Sequence, residues 1–405
     1  MKAGWQSLRF SDLGRVFNGN SISEADKKKY FAGQVEGLPY IATKDVGFDH
    51  SVNYESGVRI PEGRQRDFKL APANTVLVCA EGGSAGRKIA HLDEPVSFGN
   101  KLFAISPSHP HSSRFVFYYC LSDAFSKQFR AAMAGLIGGV SINKFKELTI
   151  QLPAATEQQR IVIILDEAFE AIATARVNAE KNLQNTRALF ESNLQSVFTD
   201  RGEGWVETTL GNEIDLLVGF AFKSAKYSAN ESDVSLLRGD NIVQGSLRWD
   251  DVKRWPKNDT AAYDRYWLRE NDVVLAMDRP WVKAGLKHSI ITADDLPCLL
   301  VQRTASLRCK SNLTSRFLLY LVRSNAFIQH ILGVQTGIGV PHISGQQIKD
   351  FVFLRPPTTE QKRIAANLDR LLDETQRLES LCKQKLIALD DLNKSLLHQA
   401  FSGAL

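Results

Sequence analysis

The chain has 405 residues, of which 43% are hydrophobic and 23% charged, long enough for two or three domains that each bury a core and ordinary in composition for a globular protein. No apolar run approaches the ~18 residues of a membrane span, and the opening Met1-Lys2-Ala3-Gly4-Trp5 lacks the features of a signal peptide, so the sequence is assigned to the cytoplasm. Five cysteines (Cys79, Cys120, Cys298, Cys309 and Cys382), odd in number and without a CxxC pair, argue against a disulfide framework and a zinc site, while a net charge of +5 permits a nucleic-acid partner without requiring one.

In chain order, the first basic loop is Arg64-Gln65-Arg66. The β-rich run Thr75-Val76-Leu77-Val78-Cys79 follows, bounded by turn residues. Next comes the glycine-rich and basic Ser84-Ala85-Gly86-Arg87-Lys88. Phe115 to Phe129 reads as helical, with its aromatic and aliphatic residues on one face. After Pro153, no proline or glycine occurs until Gly202, which predicts one long helix opened by a capping box of Thr156 and Gln159.

The same order then repeats. Arg254-Trp255-Pro256-Lys257 is a second basic loop, and Val273-Val274-Leu275-Ala276-Met277 a second β run. It leads into Asp278-Arg279-Pro280-Trp281-Val282-Lys283-Ala284-Gly285-Leu286-Lys287. Phe317 to Ile331 is again helical, and Pro356-Pro357 precedes a second long helix with Thr358 and Gln361 as its capping box. Closely matching strings mark the duplication: Thr156-Glu157-Gln158-Gln159-Arg160-Ile161 returns as Thr359-Glu360-Gln361-Lys362-Arg363-Ile364, and Leu165-Asp166 as Leu368-Asp369, both 203 residues later. Gly4-Trp5, Ser113-Arg114-Phe115 and Ser122-Asp123-Ala124-Phe125 recur with small slips as Gly204-Trp205, Ser315-Arg316-Phe317 and Ser324-Asn325-Ala326-Phe327. A unit of about 200 residues is too long for a solenoid repeat; it is one module duplicated.

Apolar residues with 4-3 spacing mark a seam on each long helix. On the first the seam is Ile161, Leu165, Ala168, Ile172, Ala175 and Ala179; on the second it is Ile364, Leu368, Leu371, Leu378, Leu389, Leu392 and Leu396. An alanine-rich stripe facing a leucine-rich one predicts that the two helices pair with each other, antiparallel. The expected fold is α+β: recognition domains at 1–152 and 203–355, each a twisted sheet with helices, and long helices at 153–202 and 356–405 that form an antiparallel coiled coil.

Catalytic signatures do not follow. The glycine-rich Glu81 to Lys88 stretch does not fit a P-loop, and an adenine methyltransferase's cofactor loop and Asn/Asp-Pro-Pro-aromatic tetrad are missing. Asp67-Phe68-Lys69 and Asp251-Val252-Lys253 have the form of a nuclease element but no partner carboxylate. What recurs at matching places is binding chemistry. Arg64, Arg66, Ser84, Arg87 and Lys88 in the first copy, and Arg254, Lys257, Arg279, Trp281, Lys283 and Lys287 in the second, suit phosphate and base-edge contacts.

Proline, Thr-Glu-Gln, a basic residue, Ile and then Leu-Asp on a long helix resembles the specificity subunits of type I restriction-modification systems, the HsdS family. The resemblance covers the whole chain. It includes Leu13-Gly14 and Leu210-Gly211 near the domain starts. It also includes Tyr40-Ile41-Ala42-Thr43-Lys44-Asp45-Val46 and Leu237-Arg238-Gly239-Asp240-Asn241-Ile242, which adds Lys44, Arg238 and Asn241 to the DNA-binding candidates. It implies a non-catalytic chain whose domains each read one half of a bipartite double-stranded DNA target. The helices would act as a spacer and as the docking site for two methyltransferase subunits, with restriction subunits added for cleavage. S-adenosylmethionine, ATP and magnesium would belong to those partners. The pattern departs from the family's in the second glycine-basic loop, which Pro280-Trp281 interrupts. Two other readings stay open: an enzyme with an unrecognised nuclease or methyltransferase site, and a coiled-coil scaffold that binds proteins alone.

Overall fold

The computed structural model describes residues 4–55, 57–134, 138–199, 202–283, 285–336 and 341–405; Met1 to Ala3 and Ala284, quoted above, lie outside them. Two compact units emerge. Unit 1 comprises residues 1–180 with 383–405, and unit 2 residues 181–382. Each therefore takes a piece of both long helices, Ala155–Thr199 and Thr358–Ser402.

Unit 1 is built on a four-stranded antiparallel sheet in the order Gly14–Asn18, Leu102–Pro107, Val76–Cys79, Ile89–His91. The strand Val76–Cys79 is buried along its whole length because both of its faces are covered. Side chains alternate along a strand, so Val76 and Val78 point to a core that includes Phe115, Val116 and Phe125 from the helices. Leu77 and Cys79 point to a second core with Ile41 and Phe98. Those two residues come from a mixed sheet ordered Arg59–Ile60, Leu38–Ile41, Val96–Phe98, Leu70–Ala71.

Unit 2 repeats the plan. Its antiparallel sheet runs Ile214–Val218, Thr304–Cys309, Val273–Ala276, His288–Ile290. Val273 and Leu275 face the helices, and Val274 faces Leu237 and Leu300. The second sheet has three strands, Lys253–Trp255, Val234–Leu237 and Cys298–Leu300. In both units a two-stranded ribbon ties the domain start to the approach to a long helix: Gln6–Arg9 with Thr149–Leu152, and Val206–Thr209 with Val352–Arg355.

Phe115 to Phe129 forms two helices, Ser113–Leu121 and Asp123–Ala132. The break is at Ser122, whose hydroxyl caps the second helix by accepting the Phe125 N–H at 3.3 Å. Ser324 does the same for Phe327, between Ser315–Arg323 and Asn325–Val334. Among the described residues no single helix is long and apolar enough to cross a membrane; that bent pair passes on length and composition together, and its Phe317 to Val322 and Phe327 are core residues.

Within each unit the long-helix segments run antiparallel. In unit 1 Arg160 donates to the Leu405 carbonyl at 2.7 Å, and Arg176 pairs with Asp390. In unit 2 Arg187 pairs with Glu379 at 3.2 Å, and Asn193 and Val197 share a groove with Ile364, Leu368 and Leu371. Ile161, Leu165, Ile172, Ala179, Ile364 and Leu368 are buried, whereas Leu378 and Leu392, expected on the seam, are exposed. A straight helix drifts ~20° per heptad away from a strict seven-residue repeat. The buried stripe has moved instead to Phe190 and Leu194 on the first helix and to Leu397 and Ala400 on the second.

The capping boxes do not form as expected: the helices begin at Ala155 and Thr358, so Thr156 and Thr358 are helical residues rather than N-caps. Gln361 is fully buried and turns outward: its carbonyl oxygen accepts the Thr314 N–H at 2.8 Å, and its amide donates to the Pro356 carbonyl at 2.9 Å. Gln158, at the matching position, accepts from Ser112 and donates to Pro153, each at 2.9 Å.

A candidate nucleic-acid interface

Two loops meet in each unit. The first follows the strand Leu38–Ile41, where the chain makes a tight turn, Thr43–Asp45. The Asp45 carboxylate locks the turn by accepting the Ala42 N–H at 2.9 Å. In unit 2 Asn241 takes this place. It accepts the Arg238 N–H at 3.0 Å, and its amide donates to the Arg248 carbonyl at 2.9 Å. Asn241 is 3% exposed, so this candidate is a brace inside its loop and has no free edge to offer a base. Arg238 is held by Asp240 at 2.9 Å.

The second loop follows the central strand. Cys79 donates its N–H to the Lys88 carbonyl, and Ala276 donates to that of Lys287, at 2.9 and 3.1 Å. Lys88 and Lys287 thus occupy equivalent positions, and both reach the turn of the first loop. Lys88 Nζ donates to the Thr43 carbonyl at 3.0 Å, and Lys287 Nζ lies 3.9 Å from where a Cβ on Gly239 would stand. Burial lowers the proton affinity of Lys287; Arg248 and Arg279 lower it further, against Asp240, which raises it. The lysine thus sits half-buried between one carboxylate and two guanidinium groups.

Around this junction the units differ. In unit 1 the Arg87 guanidinium and Lys88 ammonium lie 5.0 and 5.1 Å from the ring of exposed Phe48. Gly86 has φ +65°, and a Cβ there would come within 2.5 Å of Phe129, so only glycine lets the loop pack this closely. Ser84 keeps the turn closed by accepting the Arg87 and Lys88 N–H groups on its carbonyl at 3.0 and 3.2 Å. In unit 2 the loop is a hairpin, Trp281–Val282 paired with Gly285–Leu286. Trp281 is 40% exposed, Lys283 is exposed beside it, and Arg279 adopts a left-handed φ of 44°.

The remaining candidates lie elsewhere, at the edge of the second sheet. Arg64 bonds Asp67 at 3.6 Å and packs over Phe31 at 5.4 Å; Arg66 is exposed on the same turn. Arg254 is half-buried in its strand. Strand pairing sets Val234 opposite Trp255 and Leu38 opposite Ile60, which aligns Arg254 with Arg59 rather than with Arg64 or Arg66. Lys257 is exposed just beyond.

Lys27-Lys28-Lys29-Tyr30 was not among the candidates, although three consecutive lysines beside an aromatic residue are a legible charge run. Lys27 lies 5.7 Å from the Tyr40 ring, and Arg64 5.6 Å from the Tyr30 ring. Lys27 holds the Glu24 carboxyl below its usual range, with Lys44 and Lys28 adding to the effect. This segment links the Lys44 turn to Arg64. Among the described residues no three His, Cys, Asp or Glu side chains cluster as metal ligands. What the surface offers is cations, aromatic rings and close backbone approach, the means by which proteins hold phosphates and base edges.

The family described as the type I restriction modification DNA specificity domain matches residues 2–183 and again 203–387. The chain belongs to this family. The specificity subunit of the type I restriction enzyme EcoAI from Escherichia coli is 36% identical over 181 residues, 45% of this chain and 30% of that protein. The MjaVIII specificity subunit from Methanocaldococcus jannaschii is 28% identical over 264 residues, 60% of this chain and 61% of its own. The chain thus spans 30% and 61% of the length of these two relatives. The StySPI subunit of Salmonella potsdam, at 23% identity, matches across 99% of this chain and 89% of its own. The fold is shared with solved structures. One, from work on complex assembly and conformational transition of the type I R-M system, superposes with a TM-score of 0.76 at 19% identity over 100% of this chain and 99% of that one. The HsdS subunit from Thermoanaerobacter tengcongensis gives 0.64 at 19% identity, covering 100% and 98%.

Proposed function

We propose that this chain is the DNA-recognising specificity subunit of a type I restriction-modification complex, acting in the cytoplasm. Its recognition domains, 1–152 and 203–355, each read one half of a bipartite double-stranded target. The long helices, 153–202 and 356–405, serve as spacer and as the docking site for two methyltransferase subunits, to which restriction subunits add. The chain itself catalyses nothing: S-adenosylmethionine is held by the methyltransferase subunits, and ATP and magnesium serve the restriction subunits. The observation that carries this reading is the pair of loops that meet at Lys88 in one unit and at Lys287 in the other. The matching lysine reaches from the loop after the central strand to the turn after a strand of the second sheet, while the side chains around it differ. Two like frames with unlike surfaces suit two different half-sites.

The test is to co-express the chain with the methyltransferase encoded beside it and map methylated adenines across a plasmid library. Modification confined to one bipartite sequence is expected. Methylation or cutting by the purified chain alone would show an unrecognised enzyme. An assembled complex with no salt-sensitive affinity for duplex DNA would leave a protein-binding scaffold.

A further inference from the structure

The loops of the two units diverge, yet the place where each domain meets its long helix is the same side chain for side chain. In unit 1 Arg114 Nε donates to Asp166 Oδ1 at 2.9 Å, and the Tyr118 hydroxyl donates to the same oxygen. In unit 2 Arg316 Nε donates to Asp369 Oδ1 at 2.7 Å, and the Tyr320 hydroxyl donates to it at 2.5 Å. Both tyrosine rings are buried. Burial, and then the aspartate, push each phenol's ionisation upward, so the hydroxyl stays a donor. Gln158 and Gln361, two turns nearer the helix start, clamp the segment just before the domain helix through the Ser112 and Thr314 N–H groups.

The apolar contacts at this junction, such as Ile161, Leu165, Ile364 and Leu368, hold the domain against the helix but do not fix its angle, because the hydrophobic effect has no direction. Hydrogen bonds to an ion do have one. A clamp at the glutamine and a second at the aspartate lie about 12 Å apart along the helix axis, and two directional points fix an angle that one leaves free. A change in that angle would swing the loops carrying Lys88 or Lys287 along a duplex whose base pairs are spaced by about 3.4 Å.

We infer that Tyr118, Asp166 and Arg114, and their counterparts Tyr320, Asp369 and Arg316, are positioning residues that set the angle of each recognition domain on its long helix and so the spacer length accepted between half-sites. This rests on the bipartite reading proposed above. The test uses the complex with its methyltransferase subunits. Tyr118→Phe and Tyr320→Phe, singly and together, keep the ring packing and delete the bond. Methylated sites are sequenced on a library holding both half-sites at spacers of every length. The double variant should keep both half-sites and gain modification at spacers one base pair longer and shorter. That gain should be at least about tenfold over the parent complex, the low end of the scale for a single hydrogen bond to a charged group, of which the double variant deletes two. Asp166→Asn with Asp369→Asn, which leaves the tyrosines an acceptor, should broaden the choice less, and it carries the test should the tyrosine pair fail to assemble. Loss of methylation in equal proportion at all spacers, or an unchanged spacer profile in both pairs, would make these residues merely structural. A parent complex that modifies no bipartite sequence would remove the functional reading, and this inference with it.

Discussion

Replacing Arg308 by serine should destabilise unit 2 far more than replacing Arg308 and Asp272 together. Asp272 has a side chain only 1% exposed and is held by Arg308 through two bonds, Nε to Oδ1 at 2.7 Å and a terminal nitrogen to Oδ2 at 2.6 Å. The same carboxylate also accepts the Arg269 N–H, at 3.0 Å. Serine at 308 leaves a buried carboxylate without its counter-ion. Breaking a buried pair from one side costs ~3–5 kcal/mol, and the lower end applies here because Arg308 is 32% exposed and water can partly take its place. Strand pairing aligns Asp272 and Arg308 with Thr75 and Ser106 of unit 1, so the fold already tolerates a neutral pair there. Asp272→Thr with Arg308→Ser should therefore lose ~1 kcal/mol or less, ~2 kcal/mol less than Arg308→Ser alone. Urea unfolding followed by tryptophan fluorescence measures it selectively, since every tryptophan except Trp5 lies in unit 2. A single variant no less stable than the double would refute the argument that the charge, rather than the packing, is at stake.

Lys287→Ala should weaken binding of the assembled complex to all duplexes alike and reduce the salt slope by about one if the lysine holds a phosphate, whereas relaxed choice at a single base would assign it to a base edge; Lys88→Ala, whose lysine is tied to Thr43, should also loosen its loop. His288 is buried and its proton affinity is lowered, by burial first, from 6.5 to about 4. The unfolded chain then binds the extra proton between those values, so unit 2 should hold its full stability above about pH 6.5 and lose on the order of 3 kcal/mol as the pH falls to 4; His288→Ile, which copies the Ile89 that strand pairing places at the matching position of unit 1, should flatten that dependence in thermal unfolding.

The duplication, the central strands and the long helices were legible because each has a signal in consecutive residues: closely matching strings, four apolar residues in a row, and long stretches without proline or glycine. The Ser122 and Ser324 caps also had a signal, serine followed by Asp or Asn in both copies, but an apolar face continuing across the break concealed them. The partner of Gln361 could not be read, because a glutamine near a helix start serves equally as a capping-box residue or as a clamp on a loop 47 residues upstream. A constant heptad follows the buried face near Ile161 and Ile364 and leaves it at Leu378 and Leu392. At the candidate interface the residue types were visible but their meeting was not. Lys88 and Thr43 stand 45 positions apart, and the equivalence of Lys88 and Lys287 follows from strand pairing across loops of unequal length.

Leu397 and Ala400 belong to the core of unit 1, and the Phe401 ring lies 5.1 and 5.4 Å from those of Phe115 and Tyr119. A ribosome delivers Phe115 long before Phe401, and between them it makes the whole of unit 2, which is contiguous in sequence. Domains fold as their residues emerge, so the half of the protein begun first is the half completed last. Until Lys383 and its successors appear, the phenylalanines of unit 1 wait for cover while unit 2 can already close. A nascent chain arrested before Lys383 should thus be cut by protease within unit 1 and resist it in unit 2, an order opposite to that of synthesis.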